Sequence, residues 1–129
     1  MKKRFEPIEG RNIEIINAIT LCPEMADVPD DVKFKVNLCV EEIEENILNY
    51  SGTKWVEVSV ERKDNRLEIM FQDGGMEFNP LDKEDPDINA SVEDRQIGGL
   101  GIFLCKKMMD EIHYDFIDKN NILSLVKYL

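Results

Sequence analysis

Residues 94–110 read Asp-Arg-Gln-Ile-Gly-Gly-Leu-Gly-Ile-Phe-Leu-Cys-Lys-Lys-Met-Met-Asp, and they constrain the fold more than any other stretch. Three glycines, Gly98, Gly99 and Gly101, stand directly before an apolar segment whose spacing predicts a helix. Glycine lets backbone N–H groups approach a ligand closely, and a helix N-terminus adds free donors and a partial positive charge. This combination favours phosphate binding, although an ordinary turn can contain the same glycines.

The composition around this stretch is that of a soluble globular protein. Hydrophobic residues make up 43% and charged residues 33% of 129 residues, which predicts a single domain over 1–129. No apolar run is long enough to cross a bilayer, and the basic opening at 1–7 lacks the apolar segment of a secretory signal. Cys22, Cys39 and Cys105 have no paired spacing, so we expect small buried side chains in a reducing, cytoplasmic setting with no membrane contact.

The charge balance limits the possible ligands. The formal net charge is −11, from 16 basic and 27 acidic residues. Such a surface repels phosphate backbones, so direct nucleic-acid binding is not expected. A nucleotide site would need local compensation from backbone amides, a metal ion, or the side chains of Arg95, Lys106 and Lys107.

Helix and strand patterns alternate along the chain without internal repeats. The predicted elements are a strand at 3–7, helices at 12–22 and 30–50, strands around 56–60 and 67–71, a helix from 101 to about 111, and strands at 112–118 and 122–129. These elements predict an α+β fold, a two-layer α/β sandwich in which helices cover one face of a mixed, mostly antiparallel sheet. Residues 74–99 break the pattern with a long polar loop, which is typical of a functional lid or of a disordered insertion.

Two further clusters precede the glycines. Glu42 and Asn46 lie at positions i and i+4 of a predicted helix, so both project from one face at the edge of the core. A carboxylate there could act as a general base and the amide could ligate Mg²⁺, but Glu42 also belongs to a charge run typical of a solvated face.

The second cluster lies at the end of a predicted strand. Asp73 shares its strand parity with Leu67, Ile69 and Phe71, so we expect it to point inward. A buried carboxylate needs a donor such as an exocyclic amine, unless Asp73 merely forms an Asp-Gly turn.

Taken in order, the three clusters resemble the motifs of the Bergerat-fold (GHKL) ATP-binding proteins, in particular the bacterial anti-sigma-factor serine kinase branch. That family carries Glu-x-x-x-Asn on a helix, then Asp-x-Gly-x-x-Phe-Asp/Asn-Pro, then a Gly-Leu-Gly box. The corresponding residues here are Glu42 to Asn46, Asp73 to Pro80 and Gly98 to Gly101. The last strand is also similar, so the resemblance covers nearly the whole chain.

The resemblance implies a role for each cluster. Asp73 would bind the adenine amine, and Gly75 would allow close approach of the base. Asn46 would coordinate Mg²⁺, and Glu42 would be the base that activates a substrate hydroxyl. The other residues implied in nucleotide binding are Phe78, Arg95, Gly98, Gly99, Leu100, Gly101 and Ser124.

Some of these implied roles are more specific. Gly99 and Gly101 would hold the phosphates, and Arg95 would reach them from residues 81–97, which would form the ATP lid. Ser124 would help to fix the adenine through a water molecule. The chain departs from the family at Tyr50, where this branch often carries histidine, and we expect Tyr50 to be a core residue.

The function implied by the resemblance is that of a small cytoplasmic serine/threonine protein kinase that binds Mg·ATP. It would phosphorylate a protein partner, an anti-sigma-factor antagonist, and so regulate transcription by partner switching. The alternative is an ATP-binding module that sequesters a sigma factor or another protein with little or no catalysis. The resemblance also allows a homodimer. A plain α/β domain without a nucleotide site would require three motifs in the correct order by coincidence.

Overall fold

A five-stranded antiparallel sheet forms one layer of the protein, and three helices form the other. The structure is a computed structural model that describes residues 1–7, 12–82 and 100–129. The strands are β1 (Lys2–Phe5), β2 (Val56–Lys63), β3 (Arg66–Asp73), β4 (Glu111–Ile117) and β5 (Asn120–Tyr128). The helices are α1 (Asn12–Thr20), α2 (Asp30–Asn46) and α3 (Leu100–Met108), with 3-10 turns at Pro23–Met25 and Pro80–Asp82.

The strands lie in the order β1-β2-β3-β5-β4. This arrangement confirms the predicted α+β sandwich. The sheet was expected to be mixed and mostly antiparallel, and every strand pair in the described part of the chain is antiparallel. The two central strands, β3 and β5, place Asp73 directly opposite Asn121. The ends of these two strands therefore form one site, although 48 residues separate the two side chains along the chain.

The core lies between the sheet and the helices, with α2 at its centre. Helix α2 packs against both α1 and α3. Its inner face is buried by side chains three and four residues apart, as the apolar spacing predicts. The three cysteines are free and buried, as expected for small apolar side chains. The fully buried large side chains include Ile15, Ile19, Met25, Val36, Val40, Ile43, Val56, Val58, Leu67, Ile69, Phe71 and Leu125.

The last turn of α2 widens into a π-helical turn, Ile47–Ser51, and this turn positions part of the site. Such turns are rare, and many of them lie at functional sites. The turn ends at Gly52, whose φ of 66° lies in the left-handed region that favours glycine. The helix therefore delivers the buried Ser51 to the end of β3, where the Ser51 hydroxyl reaches Asp73.

Two helices are shorter than the sequence pattern predicts. Helix α1 ends at Thr20 because Cys22 precedes Pro23 and adopts an extended backbone, with φ −72° and ψ 153°. Helix α3 ends at Met108, and the Asp110 N–H donates to the carbonyl oxygen of Val126 on β5. The chain has thus already joined the sheet where the pattern still favoured a helix.

None of the helices in the described part of the chain has the length and apolar character that crossing a bilayer requires.

Candidate functional site

A narrow cavity opens between α2 and the ends of β3 and β5. Its walls are Ile43, Asn46, Ile47, Ser51, Phe71, Asp73, Phe78, Pro80, Tyr114, Asn121 and Leu123. The empty space is about 360 Å³ including the open mouth, but only about 20 Å³ admits the centre of a water molecule. A largely apolar wall with a few convergent polar groups is typical of a small-molecule site. Because the space is narrow, a planar base could enter only if the aromatic wall shifts.

Asp73 forms the polar floor of this cavity. It is the last residue of β3 and is 3% exposed, so it points inward as the strand parity predicts. Its Oδ1 accepts hydrogen bonds from the Ser51 hydroxyl at 2.8 Å, the Gly75 N–H at 2.9 Å and the Asn121 amide at 3.0 Å. Within the described residues Oδ2 accepts none, so Oδ2 is the oxygen that remains for a ligand.

The loop after Asp73 folds back onto the end of α2. The Met76 N–H donates to the carbonyl oxygen of Ser51 at 2.8 Å. A Cβ at Gly75 would overlap both the hydroxyl and the carbonyl oxygen of Ser51. Gly75 is therefore required for packing against the turn at Ser51, a reason that differs from the close approach of a base that the resemblance implied. A Cβ at Gly74 would lie 3.0 Å from the indole nitrogen of Trp55, which leaves little room there as well.

Asn121 is the main site residue that the sequence analysis missed. It is 5% exposed, and it connects Asp73 with the loop that follows β3. The alternation of Leu123 and Leu125 predicts that Asn121 points inward, so strand parity could have identified it. The same parity places Ser124 on the opposite face of the sheet, beside Met70. Ser124 therefore cannot contact a base bound at Asp73, and the geometry does not support its expected role.

Glu42, Asn46 and Gly101 meet at the other end of the site. Asn46 is buried and lines the cavity, and Glu42 lies one turn earlier on α2. A Cβ at Gly101 would overlap the Glu42 carboxylate, so the first turn of α3 lies directly against that group. The Cys105 thiol lies 3.9 Å from the carbonyl oxygen of Cys39, and together with the contact between Gly101 and Glu42 this means that α2 and α3 run antiparallel here. The structure thus brings together the Glu-x-x-x-Asn pair and the end of the glycine box.

The surroundings of Glu42 suit a proton acceptor. Burial, followed by the negative charges of Glu45 and Glu41, raises the pKa of the Glu42 carboxyl. A raised pKa makes a carboxylate a stronger base, and this direction is the one that general-base catalysis near neutral pH requires.

A second carboxyl on α2, that of Glu44, is buried but does not line the cavity. It is 5% exposed, and its Oε1 has no hydrogen-bond partner among the described residues. Burial, followed by the negative charge of Asp73, raises the pKa of Glu44 from 4.5 to about 7. The folded protein therefore holds this proton at pH values where the unfolded chain has already released it.

We expect the Glu44→Gln variant to be more stable than the wild type above pH 7. Because the folded-state pKa of Glu44 is raised, its proton stabilises the wild type fully below about pH 4.5, and that stabilisation is lost as pH rises towards 7. The glutamine variant lacks this loss, which amounts to at most roughly 3 kcal/mol. Urea unfolding at several pH values measures the difference, with the exposed neighbour Glu45→Gln as control. A difference between Glu44→Gln and the wild type that does not change with pH would contradict the expectation.

Several predicted site residues lie outside the described residues. They are Arg95, Gly98, Gly99 and nearly all of the expected lid at 81–97. Leu100 begins α3, and Lys106 and Lys107 lie in its last turn. Of the three basic side chains expected to offset the charge of a nucleotide, the structure therefore describes only Lys106 and Lys107, at the C-terminal end of α3.

One residue outside the three motifs differs from expectation. Tyr50 is not a core residue: it is 41% exposed and stacks on Phe78, with ring centroids 4.9 Å apart. Because Phe78 lines the cavity, this pair forms part of the wall that a base would have to move. The only histidine, His113, is exposed on β4 and pairs with Glu111.

Comparison with known proteins identifies the family. Residues 10–127 match the family model described as the histidine kinase-like ATPase domain. The chain belongs to this ATPase family. The match confirms the resemblance to GHKL proteins that the three motifs indicated.

Two members of this ATPase family are recognisably similar in sequence. Serine/threonine-protein kinase BtrW of Bordetella bronchiseptica is 24% identical over 101 residues, which make up 75% of this chain and 71% of that protein. Serine-protein kinase RsbW of Bacillus licheniformis is 30% identical over 105 residues, 78% of this chain and 65% of that protein. The chain thus spans just under two thirds of the second relative. Family membership implies a kinase-like ATPase domain with ATP as its ligand.

Proposed function

We propose that this protein is a serine/threonine protein kinase of the anti-sigma type, acting on a protein partner with Mg·ATP. The observation that carries the proposal is the contact between Glu42 and Gly101, which sets a carboxylate of raised pKa against the first turn of α3. A domain that only bound ATP would not need a base at the phosphate end of the site. The names of the two relatives as protein kinases support the same conclusion.

The base end of the proposed site is the cavity above Asp73. Oδ2 of Asp73 accepts a hydrogen bond from the adenine amine, while its Oδ1 stays bonded to Ser51, Gly75 and Asn121. The apolar wall removes the base from water, and Phe78 together with Tyr50 covers it from the mouth. The glycines and Arg95 hold the phosphates, and residues 81–97 act as the lid of a single domain.

Asn46 suits a magnesium ligand. Its amide oxygen is a hard donor, it lines the cavity, and no described residue forms a hydrogen bond with its side chain. The described residues contain no group of three or more His, Cys, Asp or Glu side chains that could hold a metal ion. A single protein ligand is sufficient here, because Mg²⁺ commonly takes one or two protein side chains beside substrate phosphates. When bound, Mg²⁺ supplies charge neutralisation at the phosphates.

Glu42 carries out the proposed proton transfer. Its carboxylate accepts the proton of a serine or threonine hydroxyl on the partner. The hydroxyl oxygen then bonds the γ-phosphorus. The bond between the γ-phosphorus and the oxygen that bridges it to the β-phosphate breaks, and ADP leaves with that oxygen. Phosphoryl transfer depends chiefly on alignment and charge stabilisation, so the fixed spacing of Glu42 and Asn46 on one helix is the main contribution of this chain. The partner we propose is an anti-sigma-factor antagonist, and the outcome is control of transcription by partner switching.

A second candidate function is an ATP-binding module that sequesters a sigma factor or another protein with little or no transfer. In its favour, Lys106 and Lys107 lie in the last turn of α3, at the end away from Gly101 and Glu42. Both functions use the same cavity. Only the fate of the γ-phosphate separates them.

The test is a calorimetric titration of the purified chain with Mg·ATP and Mg·ADP, followed by incubation with γ-labelled ATP and candidate anti-sigma-factor antagonists from the same genome. We expect micromolar binding of both nucleotides and label on a serine or threonine of one antagonist. Binding without transfer to any antagonist or sigma factor would favour the sequestering module. A folded protein that binds neither nucleotide would refute both functions.

A further inference from the structure

Asn121 stands at the start of β5 with its side chain inside the fold. Its backbone pairs with Asp73 in the β3–β5 register, and its side chain lines the cavity next to that carboxylate. It lies in none of the three motifs that identify the family. A buried amide in this position needs partners for two N–H groups and for two lone pairs.

The hydrogen bonds of Asn121 use this capacity completely. Its Nδ2 donates to Asp73 Oδ1 at 3.0 Å and to the carbonyl oxygen of Met76 at 2.8 Å. Its Oδ1 accepts from the Phe78 N–H at 3.0 Å and from the Tyr114 hydroxyl at 2.5 Å. Four bonds saturate a side-chain amide, so Asn121 has no polar atom left for a ligand even though it lines the cavity. Any effect on a ligand must act through its partners.

The partners also fix which way the amide points. The Phe78 N–H can only donate, so the group facing it must be the carbonyl oxygen of Asn121. Burial raises the pKa of Tyr114, so its hydroxyl keeps its proton and remains a donor to the same oxygen. A flipped amide would set its carbonyl against Asp73 Oδ1 and its NH₂ against the Phe78 N–H. The amide therefore always presents an N–H to Asp73.

We infer that Asn121, held by Tyr114, is a positioning residue that keeps the Asp73 carboxylate oriented with Oδ2 toward the base and so favours a 6-amino purine over a 6-oxo purine. The inference rests on the proposed binding of ATP. With Oδ1 held by three donors, the carboxylate cannot rotate freely away from the base. A base that presents a carbonyl oxygen to Oδ2 meets acceptor against acceptor, which leaves both groups unpaired.

The test compares Mg·ATP with Mg·inosine triphosphate, whose base carries an oxygen in place of the adenine amine. The variant is Asn121→Asp, which keeps the shape of the side chain but replaces its NH₂ with oxygen. The oxygen that then faces Asp73 Oδ1, about 3 Å away, repels it, so the carboxylate is no longer held with Oδ2 toward the base. We expect the dissociation constant for Mg·inosine triphosphate divided by that for Mg·ATP, both measured by calorimetry, to fall at least about tenfold from its wild-type value.

Tyr114→Phe provides a milder second variant: it removes one of the two donors to Asn121 Oδ1 and so loosens the amide that holds Asp73 Oδ1, while the three donors to Asp73 Oδ1 remain in the protein. It should lower the same ratio about threefold or more, and it decides the question if Asn121→Asp fails to fold. Asn120→Asp, the neighbouring change on the same strand, should leave the ratio unchanged. A merely structural role would weaken both nucleotides equally, and an unchanged ratio in folded Asn121→Asp and Tyr114→Phe would overturn the inference. Failure of the wild type to bind either nucleotide would instead refute the proposed function, and the inference with it.

Discussion

Replacing Asp73 with asparagine is expected to weaken Mg·ATP binding on the order of 100-fold while the protein stays folded. The asparagine carbonyl can keep the three hydrogen bonds that Oδ1 accepts from Ser51, Gly75 and Asn121. Its NH₂ then replaces Oδ2 and faces the adenine amine, so donor meets donor in a desolvated cavity. Calorimetric titration gives the affinity, and circular dichroism with thermal unfolding shows whether the fold is intact.

The matched control for this variant is Asp64→Asn in the β2–β3 turn. Asp64 has a φ of 54° and is exposed, and asparagine tolerates that backbone region well. The control should bind Mg·ATP like the wild type. Unchanged affinity in Asp73→Asn would show that the base does not use Asp73, and it would remove the main support for a nucleotide in this cavity.

Replacing Glu42 with glutamine is expected to slow phosphoryl transfer roughly 10²- to 10⁴-fold, the range by which a general base contributes. Glutamine has nearly the same shape and can still pack against Gly101, but it cannot accept the proton of a substrate hydroxyl. Affinity for Mg·ATP should stay within a few-fold, because Glu42 lies outside the walls of the base cavity. Single-turnover transfer of γ-labelled phosphate to the partner, measured beside the titration, separates the two quantities.

Glu61→Gln is the control for this experiment, since Glu61 is exposed on β2 and the charges that raise the pKa of Glu42 are those of Glu45 and Glu41. It removes one negative charge away from α2 and α3, so transfer should proceed at close to the wild-type rate. If Glu42→Gln loses ATP affinity as much as it loses transfer, Glu42 acts in the ground state. The proposed role as a base would then be abandoned.

Local signals in the sequence predict the fold well. The spacing of apolar residues identifies α2, and Gly52 marks the end of its last turn, where the backbone has a positive φ. Alternation identifies the β2–β3 hairpin and the inward direction of Asp73. These predictions are confirmed because each depends on residues close together in the chain, where helix and strand periodicity act directly.

The polar contacts of the site could not be predicted in the same way. The partners of Asp73 come from the π-helical turn at Ser51 and from Asn121 on β5, and the register that joins them is fixed only in the folded sheet. The role of Ser124 follows from the resemblance alone, whereas its position next to Leu123 on β5 places its side chain on the opposite face of the sheet. The burial of Glu44 within an acidic run is a tertiary effect, since the run itself resembles a solvated face.

The length of helix α2 fixes the distance between the two ends of the proposed nucleotide site. Ser51 braces the base end and Glu42 stands at the phosphate end, and both belong to one continuous helical segment. Ser51 comes nine positions after Glu42, which at the α-helical rise of 1.5 Å per residue gives at most about 14 Å along the axis, because the last turn is π-helical. The length of this segment therefore sets the distance between the adenine base and the reacting γ-phosphorus in the proposed site. Inserting one residue between Ile43 and Asn46 would rotate Glu42 by about 100° relative to the cavity, so the spacing and the direction of the carboxylate would be lost together.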